Sequence, residues 1–92
     1  MQFTKKLREA VKDGEITTSV RIWKQARVKV GGRYQLEEGS VIVTAIQEIG
    51  FADISEQMAR ESGFNNVLDL MKTAKHGDGH TIYFVRFYYE SI

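Results

Sequence analysis

The stretch Val41-Ile42-Val43-Thr44-Ala45-Ile46 runs with little polar interruption through the middle of a 92-residue chain. Its β-branched character and length read as a central strand buried on both faces, in a segment spanning Val41 to Glu48. A chain this long is about one domain's worth, so residues 1–92 are read as a single unit. Such a domain buries roughly 60–65% of the surface its unfolded chain exposes. Any site should therefore be a surface cleft rather than a large internal cavity.

The flanking pattern supplies the other elements. Phe3, Leu7, Ala10 and Val11 share one face at a 3.6-residue period, which predicts a helix over residues 3–13 with Thr4 as its N-cap. Gly14 stands where a left-handed terminating residue is wanted. From Glu15 to Trp23 the period changes to two: Ile16, Thr18, Val20 and Ile22 face the core, while Thr17, Ser19, Arg21 and Trp23 occupy the opposite face. Val28-Lys29-Val30 is a short extended piece, and Gly31-Gly32 turns into Arg33–Leu36. Glu38-Gly39 offers a second turn. Asp53-Ile54-Ser55-Glu56 predicts a helix start capped by the Asp53 carboxylate, with Gly63 closing the helix. A further helix is capped by Asn65 or Asn66 and shows Val67, Leu68, Met71 and Ala74 at helical spacing. The last strand, Thr81 to Tyr89, sets Tyr83, Val85, Phe87 and Tyr89 against Ile82, Phe84, Arg86 and Tyr88. The order is α-β-β-β-α-α-β. It predicts an α+β domain, a small β-barrel or curled, mostly antiparallel sheet with three short flanking helices.

Composition narrows the class. Hydrophobic residues at 42% and charged residues at 27% indicate a folded rather than a disordered chain. The absence of cysteine excludes a disulfide framework and thiolate zinc sites. No apolar run approaches the roughly 20 residues that span a bilayer, and no signal-peptide pattern opens the sequence. A cytoplasmic monomer without membrane association or cofactor is the expectation. The net charge of +1 conceals a polarised distribution. Arg21, Lys24, Arg27, Lys29 and Arg33 fall between Ile16 and Leu36 with no acid among them, whereas Glu37 to Asp69 holds seven acids and only Arg60 as a base. One basic side attracts phosphate; equally, basic strands and acidic helices can simply pair with each other or with water.

The Thr17/Ser19/Arg21/Trp23 face is the best candidate site. Arginine offers a planar fork of donors to phosphate oxygens or a base edge, and an exposed tryptophan stacks a base. Lys24, Arg27, Lys29 and Arg33 follow closely, and Tyr83 is a further aromatic candidate for stacking. Structural alternatives stand beside these roles: an ion pair for Arg21 with Glu37, Glu38 or a helix acid, and core cover for Trp23. The His76-Gly77-Asp78-Gly79-His80 run lacks a fourth ligand and reads as a loop rather than a metal site. Gly31-Gly32 has no following helix and no P-loop pattern. A Ser19 or Thr17 nucleophile requires a base; His76, His80, Lys24 and Asp69 are the groups available, none placed beside them by the sequence.

Gly14 followed seven residues later by Arg21, the Lys29-Val30-Gly31-Gly32-Arg33-Tyr34 turn, and Asp53-Ile54-Ser55-Glu56 through Glu61-Ser62-Gly63-Phe64 to Tyr83-Phe84-Val85-Arg86-Phe87 resemble the ASCH family, a PUA-like branch linked to RNA. Together these stretches cover nearly the whole chain. The resemblance implies a PUA-like β-barrel and binding of RNA, single-stranded or as a modified nucleoside. It also implies an alternative, a nucleoside- or RNA-acting hydrolase. Small bacterial relatives deacetylate acetylcytidine with a threonine, a lysine and a glutamate. Ser19 stands at the threonine position, Ile16 at the lysine position, and Val67 or Asp69 at the glutamate position. The family signature G-x-K-x-x-E-x-R keeps Gly14 and Arg21 here but has Ile16 for its lysine and Ser19 for its glutamate. The residue-level expectation is a binding module working through Thr17, Arg21, Trp23, Lys24, Arg27, Lys29, Arg33 and Tyr83, with Ser19 and Arg21 in the pocket for the catalytic alternative.

Overall fold

A computed structural model describes residues 2–74 and 79–91. Its described elements are α1 (Lys5–Lys12), β1 (Thr18–Trp23), β2 (Arg33–Leu36), β3 (Gly39–Ile49), a single 3-10 turn (Phe51–Asp53), α2 (Glu56–Glu61), α3 (Val67–Ala74) and β4 (Thr81–Glu90). All four strands join one antiparallel sheet in the order β1-β4-β3-β2. The sheet curls into a half-barrel, so the α+β class and the curled antiparallel sheet with three short helices are as the patterning predicts. Among the described residues, no helix is long and apolar enough to cross a membrane.

Strand β4 sits between β1 and β3, and its alternating side chains supply both faces. Val85 and Phe87 join Val11, Ile16, Trp23, Val28, Leu36, Val41 and Val43 in one core beneath α1. Ile82 and Phe84 join Val20, Ile22, Ile54, Ala59, Leu70 and Ala74 in a second core beneath α2 and α3. A hydrogen bond from Phe87 N–H to the Thr17 carbonyl (2.9 Å) extends the β1–β4 ladder by one residue.

Four local readings are corrected. Strand β3 is buried on both faces only at Val41–Val43; beyond a bulge between Val43 and Ala45, where an extra β3 residue breaks the alternation against β4, it is half-buried or exposed. Asp53 does not cap α2. Its carboxylate accepts the Gly50 N–H (2.8 Å) and closes the 3-10 turn, while the Ser55 hydroxyl accepts the Met58 N–H (3.0 Å) as the true cap. In α3 the buried face runs through Val67, Leu70, Met71 and Ala74, the i, i+3, i+4, i+7 set, which leaves Leu68 68% exposed. Asn66 is the α3 cap, its side-chain oxygen accepting the Asp69 N–H (2.8 Å). Val28-Lys29-Val30 forms no strand; Val28 alone turns into the core. The residues His76, Gly77 and Asp78 lie outside the described ones; His80 is exposed.

Two helices end in the same way. After α1, Gly14 N–H donates to Val11 and Glu15 N–H to Ala10; after α2, Gly63 N–H donates to Arg60 and Phe64 N–H to Ala59. Both glycines have positive φ, 79° and 95°. They differ in surroundings. A Cβ on Gly14 would meet nothing within 4 Å, whereas one on Gly63 would come within 2.5 Å of Leu7 and 2.7 Å of Ile16. Gly63→Ala should therefore destabilise by roughly 1–3 kcal/mol and Gly14→Ala by only about 1 kcal/mol, read from urea midpoints. Equal losses would show that the close packing of α2's end on α1 contributes nothing.

On the surface, Lys12 Nζ pairs with Glu38 Oε1 at 2.9 Å. The hydrogen bond from Lys12 holds the Glu38 carboxyl below its usual value, and the same bond holds Lys12 above its own. The depressed Glu38 value stabilises the fold above the ordinary carboxylate pKa and loses that effect as pH falls through the lowered one. The raised Lys12 value acts below the ordinary lysine pKa and is lost as pH rises through the higher one. Lys12→Gln should lower the urea midpoint near pH 7, and the difference should shrink as pH falls and Glu38 takes up its proton.

Candidate nucleotide-binding cleft

The cleft lies along β1, an edge strand of the sheet. The segment preceding α1 and the first turn of that helix form one wall (Gln2, Phe3, Thr4, Leu7), and the α2–α3 corner with the end of α3 forms the other (Ser62, Phe64, Thr73, Ala74). Ser19, Val20 and Arg21 of β1 make the floor, and the enclosed volume is about 210 Å³. Two contacts hold the walls. The Thr18 and Ser62 hydroxyls bond each other at 3.0 Å in a buried position, pinning the end of α2 to β1. The Phe3 ring packs on Phe87 with centroids 5.5 Å apart, tying the arm before α1 to the inner core.

Arg21 is the only charged residue lining the cleft among the described residues. Its Nε donates to Ser19 Oγ (2.7 Å), its Nη2 donates to the Gln2 carbonyl (2.6 Å), and the guanidinium carbon stands 5.0 Å from the Phe3 ring centroid. Burial lowers the Arg21 pKa from its ordinary value. No carboxylate pairs with it among the described residues. The structural alternative of an ion pair with Glu37 or Glu38 is thus absent there: those carboxylates face Arg8 and Lys12. An arginine has five N–H donors, so several remain for a ligand.

The residues singled out from the sequence do not gather in one place. Ser19 and Arg21 line the cleft. Thr17 is exposed just before β1, and Lys24, Arg27 and Lys29 are exposed on the loop that follows it. That loop starts three residues past Arg21, a span of about 10 Å in extended chain. Arg33 is paired with Glu90 at 2.7 Å. Trp23 is 4% exposed and packs against Tyr83, ring centroids 5.7 Å apart. The stacking role expected of Trp23 does not fit this burial. Its strand face looks into the curl of the sheet, and the inner core closes over it together with Val28. Tyr83 is half-buried in the same contact.

Sequence reasoning missed Phe3, Ser62, Phe64 and Thr73 as cleft residues. Phe3 read as core because its spacing fits the α1 face, and its contact to Arg21 spans 18 positions that no local pattern reports. Among the described residues, the cleft lining holds no histidine, lysine or carboxylate to serve Ser19 as a base. Asp69, one of the groups available from the sequence, accepts the Asn65 N–H (3.0 Å) at the start of α3. The geometry is that of an aromatic-walled cleft with one guanidinium and one hydroxyl on its floor. Comparison with protein-family models, curated proteins and solved structures returned no match.

A half-buried cation without a carboxylate partner costs stability. Arg21→Met, which keeps the stem against Phe3 and removes the charge, should leave the unfolding free energy within about 1 kcal/mol of the native chain or raise it. A loss of several kcal/mol in urea denaturation would mark Arg21 as a structural residue instead.

Proposed function

We propose that this chain is an RNA-binding module that takes one base or nucleotide into the β1 cleft. The observation that carries this reading is Arg21, half-buried and lacking a carboxylate partner among the described residues. Desolvating a guanidinium is unfavourable unless an anion faces it. A phosphate or an electron-rich base edge meets its planar fork better than water does in a half-closed site. Ser19 then acts as a positioning residue: its hydroxyl accepts from Nε and fixes the fork's direction.

The cleft volume of about 210 Å³ is below the roughly 300–1,000 Å³ of sites that enclose drug-sized ligands, a size suited to a single base. Phe3 and Phe64 supply its apolar walls. Lys24, Arg27 and Lys29, exposed on the adjoining loop, extend positive charge for the backbone of a strand. Membership of the ASCH family, with its link to RNA, is part of the same proposal. The hydrolase alternative draws less support, since a Ser19 nucleophile has no base among the described lining residues.

The test is a backbone-amide NMR titration with a mixed-sequence single-stranded RNA at low and high salt. Shifts should cluster on Ser19–Arg21 and Lys24–Lys29 and fade as salt rises. Arg27→Glu/Lys29→Glu should weaken binding roughly tenfold or more and flatten the salt dependence of log K by about 1.4, the share of two phosphates on a single strand. Unchanged affinity in that variant and in Arg21→Met, with the fold intact, would refute the proposal.

A further inference from the structure

A second depression, of about 460 Å³, lies on the far side of the same arm and is lined by Gln2, Phe3, Arg8, Gln35, Leu36 and Glu37. It shares Gln2 and Phe3 with the β1 cleft, so these two residues form a partition with a hollow on either side. A guanidinium stands on each side of that partition. Arg21 is on one, and on the other is Arg8, whose Nε is buried with no hydrogen-bond partner among the described residues. Arg8 lies near Glu37, but at 3.6 Å the contact exceeds hydrogen-bond length, and both side chains are more than a third exposed.

From this arrangement we infer that the two hollows are successive subsites for one single-stranded segment, so that the ligand is a dinucleotide or longer strand rather than a mononucleotide. The inference rests on the nucleotide reading of the β1 cleft. One nucleotide occupies that cleft against Arg21. The chain crosses Phe3, whose ring is held in place by Phe87, and the neighbouring nucleotide enters the second hollow. There Arg8 faces its phosphate. Gln35 and Glu37 offer acceptors to a base ring N–H or a ribose hydroxyl, chemistry that a nucleotide has and inorganic phosphate lacks. The placement also gives an aromatic at the junction of two hollows that each hold a guanidinium, where a strand's bases and phosphates alternate.

The experiment compares uridine 5′-monophosphate with the dinucleotide pUpU by NMR titration of the whole chain and of Arg8→Gln. The dinucleotide should bind about tenfold more tightly or better, the worth of one charge-assisted hydrogen bond. Arg8→Gln should abolish that advantage and leave the mononucleotide affinity unchanged. Gln35→Glu, an exposed change that adds a negative charge to the second hollow, should weaken only the dinucleotide. Equal affinities for the two ligands, or a dinucleotide advantage that survives both variants, would overturn the two-subsite inference while leaving the single-nucleotide reading in place. Binding of neither ligand would overturn both.

Discussion

Strand β4 is covered by cores on both faces, and the placement of every other element follows from satisfying them. A strand with Val85 and Phe87 on one side and Ile82 and Phe84 on the other cannot leave either set in water. Burying a large apolar side chain contributes roughly 1.5–3 kcal/mol, and four such residues on one strand demand two layers of cover. In so short a chain the curl of the sheet supplies part of the inner layer, with α1 and Val28 completing it. Helices α2 and α3 supply the outer one. The same requirement explains why Trp23 is enclosed: it follows Arg21 on the inner face of β1, next to β4, where the curl is closed.

The cleft is a consequence of those two layers failing to meet. Along the β1 edge the arm before α1 belongs to the inner layer and the α2–α3 corner to the outer one. Between them β1 presents Ser19, Val20 and Arg21. A site at a seam between layers inherits rigid walls, because each wall is anchored by its own core. Phe3 is fastened to Phe87 on one side, and Ser62 to Thr18 on the other. Ser19 and the Gln2 carbonyl hold the guanidinium between them, so under the proposed function the donor fork needs little ordering on binding.

Seven of the basic residues divide into three roles according to what they meet. Lys12 and Arg33 are tied to Glu38 and Glu90 across the surface. Lys24, Arg27 and Lys29 stand in water on one loop. Arg21 and Arg8 are partly enclosed and face hollows. A charge in water is screened within about 10 Å at moderate salt, so under the proposed function the loop bases would favour approach and affinity without fixing a geometry. The enclosed arginines can fix one.

What the sequence by itself determined is whatever a few neighbouring residues enforce. Gly14 and Gly63 end their helices because only a residue without Cβ takes that backbone turn freely. The alternation of β4 names its two faces, and the helical period of α1 selects Phe3, Leu7, Ala10 and Val11 for the core. Even local reading slipped where two residues compete for one role, as Asp53 and Ser55 do at the start of α2, or Leu68 and Leu70 along α3. The tertiary structure alone decided which polar residues became a site. Trp23 and Arg21 lie on the same strand face, two residues apart. One is buried in the core, and the other opens onto a cleft whose walls come from residues 2–7 and 62–74. Burial and charge pairing depend on which distant segments arrive beside a side chain, and the sheet's curl, set by all four strands together, determines that arrival.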